Sequence, residues 1–286
     1  MQVKFPAFRQ HELARIEAND AMVALLVGRG LATHTLDLLR GSTVGLPQAF
    51  PEVPFVQKLN RSIPEAQDLL SSSERHLAYM SIPFALSVHH QFAKTAARLL
   101  SGSGDDGQTV DDARLDLDQI HGFLEELSTT SFDEAEVHQF QFARRLRNRI
   151  LHFGGTPGTH LRTYYHQEMS DAARAEWERR AEREPMLTPG VPLELGAGEL
   201  FATLGCAKAL ADAINTVLQP VLPRAQWADM AVDDWANRPN AKPKPNPIGG
   251  IIRYTRRLYG PLELTDAEVL AAFERWRANQ KEGSSN

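Results

Sequence analysis

Apolar residues recur at intervals of three and four along most of the chain, whereas apolar–polar alternation with a period of two is nearly absent. The first spacing places side chains on one side of an α-helix, and the second is typical of a strand. The pattern therefore predicts an all-α protein built as a helical bundle. The predicted helices cover residues 9–27, 30–39, 73–100, 112–127, 132–153, 170–184, 197–218 and 265–279, with shorter helical turns near 63–70, 224–236 and 250–258.

Stretches rich in glycine and proline punctuate this pattern at residues 101–107, 185–198 and 238–247. In the last of them alternating prolines exclude a helix and favour an extended connector. We therefore predict three regions, namely an N-terminal helical region at 1–72, the helical bundle at 73–219, and a C-terminal helical appendage with a basic linker at 220–286.

Two features are expected to interrupt helices. Pro83 removes a backbone donor and collides with the preceding turn, which predicts a kink or a break in the helix that contains it. Gly28-Arg29-Gly30 predicts a turn between the first two helices, because glycine weakens a helix interior.

Charge and cysteine content exclude several classes of protein. With 31 basic and 36 acidic residues the net charge is -5, which argues against a general nucleic-acid coat protein and leaves only local basic patches for phosphates. The single cysteine, Cys206, can form neither an intramolecular disulfide nor a thiolate zinc site, and its apolar setting predicts a buried small residue. The longest apolar run, residues 21–27, is too short to cross a bilayer. We predict a cytoplasmic protein without a membrane partner.

The helix predicted at 132–153 has the clearest ends. Ser131 and Glu134 have the spacing of a capping box, and Gly154-Gly155 supplies a left-handed C-terminal cap. Its predicted core face consists of Phe132, Ala135, Phe140, Phe142, Ala143, Leu146, Ile150 and Phe153. The opposite face carries Glu134, His138, Gln141, Arg145, Asn148 and His152, with Arg147 on the flank of the apolar side.

Four arginines without an intervening acid lie near the end of this helix: Arg144, Arg145, Arg147 and Arg149. Such a run is often a solvated face, and one arginine near a helix C-terminus is explained by the helix dipole. The spacing Arg147-Asn148-x-x-x-His152, which ends directly at the helix stop, favours a functional role.

This segment resembles the R-N-x-x-x-H signature of HEPN domains, all-α bundles whose members include metal-independent ribonucleases of toxin, antiphage and CRISPR systems. The resemblance covers about residues 73–219 and includes the long helix, the arginine cluster and the glycine turn. It implies a composite groove at a homodimer interface that cleaves RNA without a metal or other cofactor. In members paired with a nucleotidyltransferase antitoxin a tyrosine follows the histidine after one residue; Gly154 stands there in this chain, so that mode of inhibition is not expected.

The motif residues suit RNA transesterification. His152 can move protons near neutral pH, Arg147 can hold two phosphate oxygens, and Asn148 can orient the histidine or the phosphate. Because Arg147 and His152 point in different directions on one helix, two copies facing each other form a complete site more easily than one. Arg144, Arg145 and Arg149 are predicted to hold the RNA backbone.

A second basic segment, from Trp235 to Leu262, contains six cations and no acid. Arg253, Arg256 and Arg257 alternate there with tyrosines, which predicts phosphate contact and base stacking; a flexible basic linker is the alternative. The remaining histidines, among them His89, His90, His160 and His166, lack the company of carboxylates or cysteines, and we assign them no metal or catalytic role.

These observations predict a homodimeric endoribonuclease of a toxin or antiphage-defence type, with an antitoxin or defence protein as a further partner. The alternative is a non-catalytic HEPN-like module that binds RNA or a partner protein in such a system.

Overall fold

The computed structural model describes residues 1–102, 112–238 and 247–283, and in these ranges every regular element is a helix. The predicted all-α class is confirmed. Two predicted connectors, residues 101–107 and 238–247, lie largely outside the described residues. The helices are α1 (Pro6–Asp37), α2 (Leu46–Ala49), α3 (Val56–Leu59), α4 (Ile63–Leu100), α5 (Ile120–Ser128), α6 (Glu134–Phe153), α7 (Thr159–Thr163), α8 (Asp171–Ala181), α9 (Ala197–Val221), α10 (Arg224–Ala236), α11 (Ile248–Leu258) and α12 (Asp266–Gly283), with short 3₁₀ segments at Asp112–Leu115 and Gly260–Leu262 and a π-helical turn at Tyr164–Glu168.

The predicted turn at Gly28-Arg29-Gly30 is wrong, because α1 continues through it. The Arg29 Nε donates to the carbonyl of Leu70 at 2.8 Å, and its Nη1 lies 3.1 Å from a carboxylate oxygen of Glu74. These contacts to a distant part of the chain offset the roughly 1 kcal/mol that each glycine costs in a helix.

Of the kink or break predicted at Pro83, the break is wrong, since α4 is one helix from Ile63 to Leu100 with Pro83 inside it, and the kink stays a prediction. The neighbouring Ile82 and Leu86 are completely buried. Burial of such side chains contributes about 1.5–3 kcal/mol each, which is comparable to the cost of a proline in a helix interior.

The packing divides the chain into two compact units, each made of separated segments. The first contains Met1–Ala14, Ser87–Val137 and Ala207–Asn286, and the second contains Arg15–Leu86 and His138–Cys206. The three regions predicted from the sequence, with borders at residues 72 and 219, stay a prediction.

Among the described residues one helix, α9, is long and apolar enough to cross a membrane by length and composition, and 56% of its apolar stretch is buried. A core helix meets the same criterion. Leu200, Leu204, Leu210 and Leu218 of α9 are all buried, so protein packing accounts for its apolar character.

The first unit has an aromatic core closed by an ion pair. The ring of Phe5 lies edge-on to Trp227 at 5.5 Å, and Trp227 lies edge-on to Tyr259 at 6.3 Å. Asp234 accepts hydrogen bonds from both terminal nitrogens of Arg9, at 2.8 and 2.7 Å, and from the Tyr259 hydroxyl at 3.0 Å. The buried carboxylate is thereby fully engaged.

The same unit buries a pair of histidines. The Nε2 atoms of His89 and His121 are 2.9 Å apart, and the Nδ1 of His89 lies 3.1 Å from the carbonyl oxygen of Ala207. With both side chains neutral, His89 donates to Ala207 and accepts from His121. Burial is the main cause that lowers the pKa of both rings, that of His121 to about 3. The like charges of His121, His11 and His90 lower the pKa of His89 further, and His90 has this effect on His121.

Acidification is expected to destabilise the protein through this pair. Below pH 6.5 the unfolded chain takes up protons that both folded histidines exclude, His121 until about pH 3, so stability that is complete above pH 6.5 is lost as the pH falls. The free energy of unfolding should fall by about 1 kcal/mol per pH unit for each histidine. Urea unfolding at a series of pH values measures this slope.

His121→Gln is the matched control, because its amide stays neutral and still can donate to His89. Its slope should be clearly shallower than that of the wild type. An equal slope in the two proteins would contradict this origin of the acid sensitivity.

Candidate functional site

The site is built around α6, whose first turn is capped by Asp133. The Oδ1 of Asp133 accepts from the backbone nitrogen of Glu136 at 3.0 Å, the N-cap geometry, and the helix begins at Glu134. The predicted cap at Ser131 is therefore wrong by two residues. Serine and aspartate both cap helices well, and the capping-box spacing of Ser131 and Glu134 did not show that Asp133 is the cap.

One face of α6 is buried in the second unit. Phe140, Phe142 and Leu146 are completely buried, and the ring of Phe142 lies 4.9 Å from those of both Tyr165 and Trp177. This part of the predicted core face is confirmed. Because the buried side chains determine how the helix is rotated, they also determine which residues of its last turns face solvent.

Phe153 is an exception to the predicted core face, because it is 56% exposed. It is the last residue of α6, and the guanidinium of Arg149 lies over its ring at 4.4 Å. This cation–π contact covers part of the ring that the core does not reach.

The end of α6 is a glycine turn, as predicted. Gly154 and Gly155 have φ values of 59° and 79°, and the Gly155 nitrogen donates to the carbonyl of Arg149 at 2.9 Å. These left-handed conformations favour glycine and end the helix directly after the motif histidine.

Tyr79 of α4 holds this turn in place. Its hydroxyl donates to the carbonyl of Leu193 at 2.9 Å, while the Leu193 nitrogen donates to the carbonyl of Gly155 at 2.8 Å. A Cβ on Gly155 would overlap the Tyr79 hydroxyl and the adjoining ring atoms. Burial raises the pKa of Tyr79, which keeps the hydroxyl protonated as a donor.

His152 is exposed at this end of α6. The apolar side chains on either side of it, Leu151 and Phe153, are 50% and 56% exposed. The imidazole is therefore accessible to solvent, and two exposed apolar side chains adjoin it in the sequence.

Arg147 and Asn148 contact each other directly. The Nη1 of Arg147 donates to the Oδ1 of Asn148 at 2.9 Å, and both residues are half-buried. In the described ranges no carboxylate lies within ion-pair distance of Arg147 or of Arg149. These two guanidinium groups therefore keep an unbalanced positive charge that favours an anion.

Arg144 and Arg145 are more strongly engaged by the protein. Arg145 lies over the ring of Tyr164 at 4.1 Å with a terminal nitrogen 3.8 Å from Glu168, and the Nε of Arg144 donates to Gln141 at 2.7 Å. Burial raises the pKa of Tyr164 to about 12, against the opposing effect of Arg145. Their predicted contact with an RNA backbone stays a prediction.

The predicted second basic segment belongs to the first unit, and α11 carries its three predicted RNA-binding arginines. Arg253, Arg256 and Arg257 are exposed, Arg256 pairs with Asp266 at 2.8 Å, and Arg257 lies over the ring of Tyr254 at 5.8 Å. Arg253 and Arg257 thus remain open to solvent, whereas Arg256 is partly neutralised.

The sequence predicts no site role for the cysteine or for the histidines outside the motif. Cys206 is completely buried, as predicted, and His160 and His166 are exposed. Within the ranges that the structure describes, no group of three or more histidine, cysteine or acidic side chains is arranged to hold a metal ion.

Tyr79 and Gly158 are two contributors to the site that the sequence did not reveal. A Cβ on Gly158 would overlap the guanidinium of Arg149, so glycine at this position leaves room for that side chain. Neither residue lies in a recognisable motif, and only the tertiary contact shows its role.

Comparison with known proteins adds no relative: the chain matches no family model, no curated protein and no solved structure. The resemblance to HEPN domains therefore rests on Arg147, Asn148 and His152 and on their position at the end of a long helix.

Gly154 and Gly155 provide a matched pair for testing the Tyr79 contact. Gly154→Ala should cost about 1 kcal/mol, the strain of a left-handed alanine with open space around it. Gly155→Ala should cost about 1–3 kcal/mol more, since it also displaces Tyr79. Urea unfolding of the two variants compares these costs, and equal costs would contradict the close packing of Tyr79 against the turn.

Proposed function

We propose that the chain is a metal-independent endoribonuclease that acts as a homodimer. The observation that carries this proposal is the end of α6, where exposed His152 lies in the same two turns as Arg147, whose guanidinium is held by Asn148 and lacks a carboxylate partner among the described residues. A proton carrier and a phosphate-binding group are the two elements that RNA transesterification requires.

The reaction itself needs no other group. The 2′-oxygen forms a bond to phosphorus while the bond from phosphorus to the 5′-oxygen breaks, giving a 2′,3′-cyclic phosphate and a 5′-hydroxyl. His152 moves a proton at one of these oxygens, either from the attacking hydroxyl or to the leaving oxygen, and water exchanges the proton at the other oxygen. Arg147 neutralises the charge that develops on the non-bridging oxygens through its planar pair of donors.

Asn148 is assigned to Arg147 rather than to His152. Its side-chain oxygen accepts from the arginine, which restricts the guanidinium to fewer rotamers before the phosphate arrives. Restricting a flexible side chain in advance lowers the entropy cost of binding. The amide nitrogen of Asn148 remains a donor that could point at a phosphate oxygen.

We propose two copies because Arg147 and His152 point in different directions on one helix. Five residues of α-helix place Arg147 and His152 about 140° apart around the axis and about 7.5 Å apart along it. The exposed side chains of Leu151 and Phe153 supply apolar surface beside His152 that a second copy would cover. The predicted homodimer with a composite site fits these features.

The biological setting follows from the resemblance. We propose a toxin or antiphage-defence effector of the cytoplasm that cleaves RNA, with an antitoxin or another defence protein as its partner. A non-catalytic HEPN-like module is the competing function, and exposed Leu151 and Phe153 would also suit the surface of such a module. Cleavage separates the two functions.

The wild type should cleave RNA, and His152→Ala should cleave it much more slowly. End-labelled single-stranded RNA and bulk tRNA are incubated in EDTA with each protein, and the ends of the products are identified. The wild type should leave 2′,3′-cyclic phosphate ends, and the variant should lose at least about a hundredfold in rate, as expected for loss of a general acid or base.

His160→Ala is the matched control, because His160 is an exposed histidine of the same unit outside the motif. It should cleave like the wild type. Undiminished cleavage by folded His152→Ala would remove the site assignment, and inactivity of the wild type on both substrates would favour the non-catalytic function.

A further inference from the structure

Two clefts lie beside α7 in the second unit, each with a volume of about 370 Å³. They share Arg162, His166 and Pro189 as lining residues, which makes them parts of one groove. We call this feature the α7 groove, and its walls also include Thr159 at one part and Glu184 at the other.

The groove begins where the motif helix ends. Thr159 directly follows Gly158, whose open side is occupied by the guanidinium of Arg149. Arg149 in turn lies one helical turn before Phe153 and covers its ring. A chain of phosphates bound at the end of α6 would therefore pass from Arg149 into the α7 groove.

Arg162 places a positive charge in both clefts of the groove, and Glu184 places a negative charge in one of them. The Arg162 side chain is exposed, and in the described ranges no carboxylate lies within ion-pair distance of it. An arginine that is not neutralised by the protein is suited to a phosphate of a nucleic-acid strand.

The turn that carries His166 is held by hydrogen bonds and by burial. The π-helical turn Tyr164–Glu168 buries both of its tyrosines, and one terminal nitrogen of Arg174 donates to the carbonyls of Tyr165 and Met169 at 3.2 and 2.9 Å. The Met169 nitrogen closes the turn on the carbonyl of Tyr164 at 2.8 Å. Because this turn is fixed on its buried side, His166 projects from a defined position on the exposed side.

The remaining walls suit a base. His166 offers an exposed ring for stacking, and Pro189 and Met186 offer apolar surface. Glu184 can accept hydrogen bonds from an amino group at the edge of a base. A groove with one cation, stacking surface and one acceptor matches a nucleotide better than an isolated phosphate ion.

We propose that the α7 groove binds single-stranded RNA on one side of the cleaved bond, with Arg162 on a phosphate and one base against His166. The proposal rests on the RNA-cleaving function proposed above, because it assigns the groove to the strand that approaches His152. It predicts that Arg162 contributes to RNA binding without taking part in the chemical step.

Binding is measured on His152→Ala, which holds RNA without cutting it, by fluorescence anisotropy of a labelled single-stranded RNA of about ten nucleotides. Adding Arg162→Ala should weaken binding about tenfold and reduce the salt dependence, the slope of log K against log salt concentration, by about 1. In the cleaving enzyme Arg162→Ala alone should raise KM and leave kcat nearly unchanged, which is the signature of lost substrate binding.

Arg40→Ala is the matched control, because Arg40 is an exposed arginine of the same unit that pairs with Asp37 at 2.7 Å. It removes the same charge and should change neither the affinity nor the salt slope. Circular dichroism confirms that both variants are folded.

The outcomes separate the groove from the proposed function. If the wild type cleaves RNA and Arg162→Ala has the same KM, the assignment of the α7 groove to RNA binding is overturned and the ribonuclease function stands. If Arg162→Ala reduces the salt slope of RNA binding but the wild type cleaves no RNA, RNA binding in the α7 groove is supported and the ribonuclease function is overturned. Absence of RNA binding at low salt, or equal losses in Arg162→Ala and Arg40→Ala, would overturn the groove.

Discussion

Burial of the aromatic face of α6 is the interaction on which the candidate site depends. Phe142 packs between the rings of Tyr165 and Trp177, and removal of such a side chain typically costs about 3–5 kcal/mol. Ala143 is completely buried beside it, and His152 lies nine residues later, about 180° around the helix. The core therefore turns the motif histidine toward solvent. Rotation of α6 by half a turn would bury the histidine and expose the aromatic face.

The arginines near the end of α6 differ in how far the protein balances their charge. Arg145 lies over the ring of Tyr164 and 3.8 Å from Glu168, so part of its charge is balanced within the protein. Arg147 and Arg149 have polar or aromatic partners that restrict their motion without cancelling their charge. Such an arrangement leaves local positive charge in a chain whose net charge is -5, and it explains how a locally basic surface arises without a basic protein.

The sequence predicts local features of this site well and long-range features poorly. The existence of α6, its buried face and its glycine stop follow from period, spacing and the conformational freedom of glycine. The contact of Tyr79 with Gly155 joins positions far apart in the chain and has no sequence signal. The continuity of α1 through Gly28 and Gly30 depends on the contacts of Arg29 with Leu70 and Glu74, which local propensity does not contain. Tertiary packing overrides local propensity in α1.

The central claim is that Arg147 and His152 act in one composite site formed by two copies of the chain. It is tested most directly by mixing Arg147→Ala and His152→Ala proteins in equal amounts under conditions that allow subunits to exchange. Each variant alone should be inactive, and the mixture should regain about a quarter of the wild-type activity, because half of the dimers are mixed and each mixed dimer contains one complete site. Failure of the mixture to cleave RNA, although mass measurement shows mixed dimers, would contradict the claim.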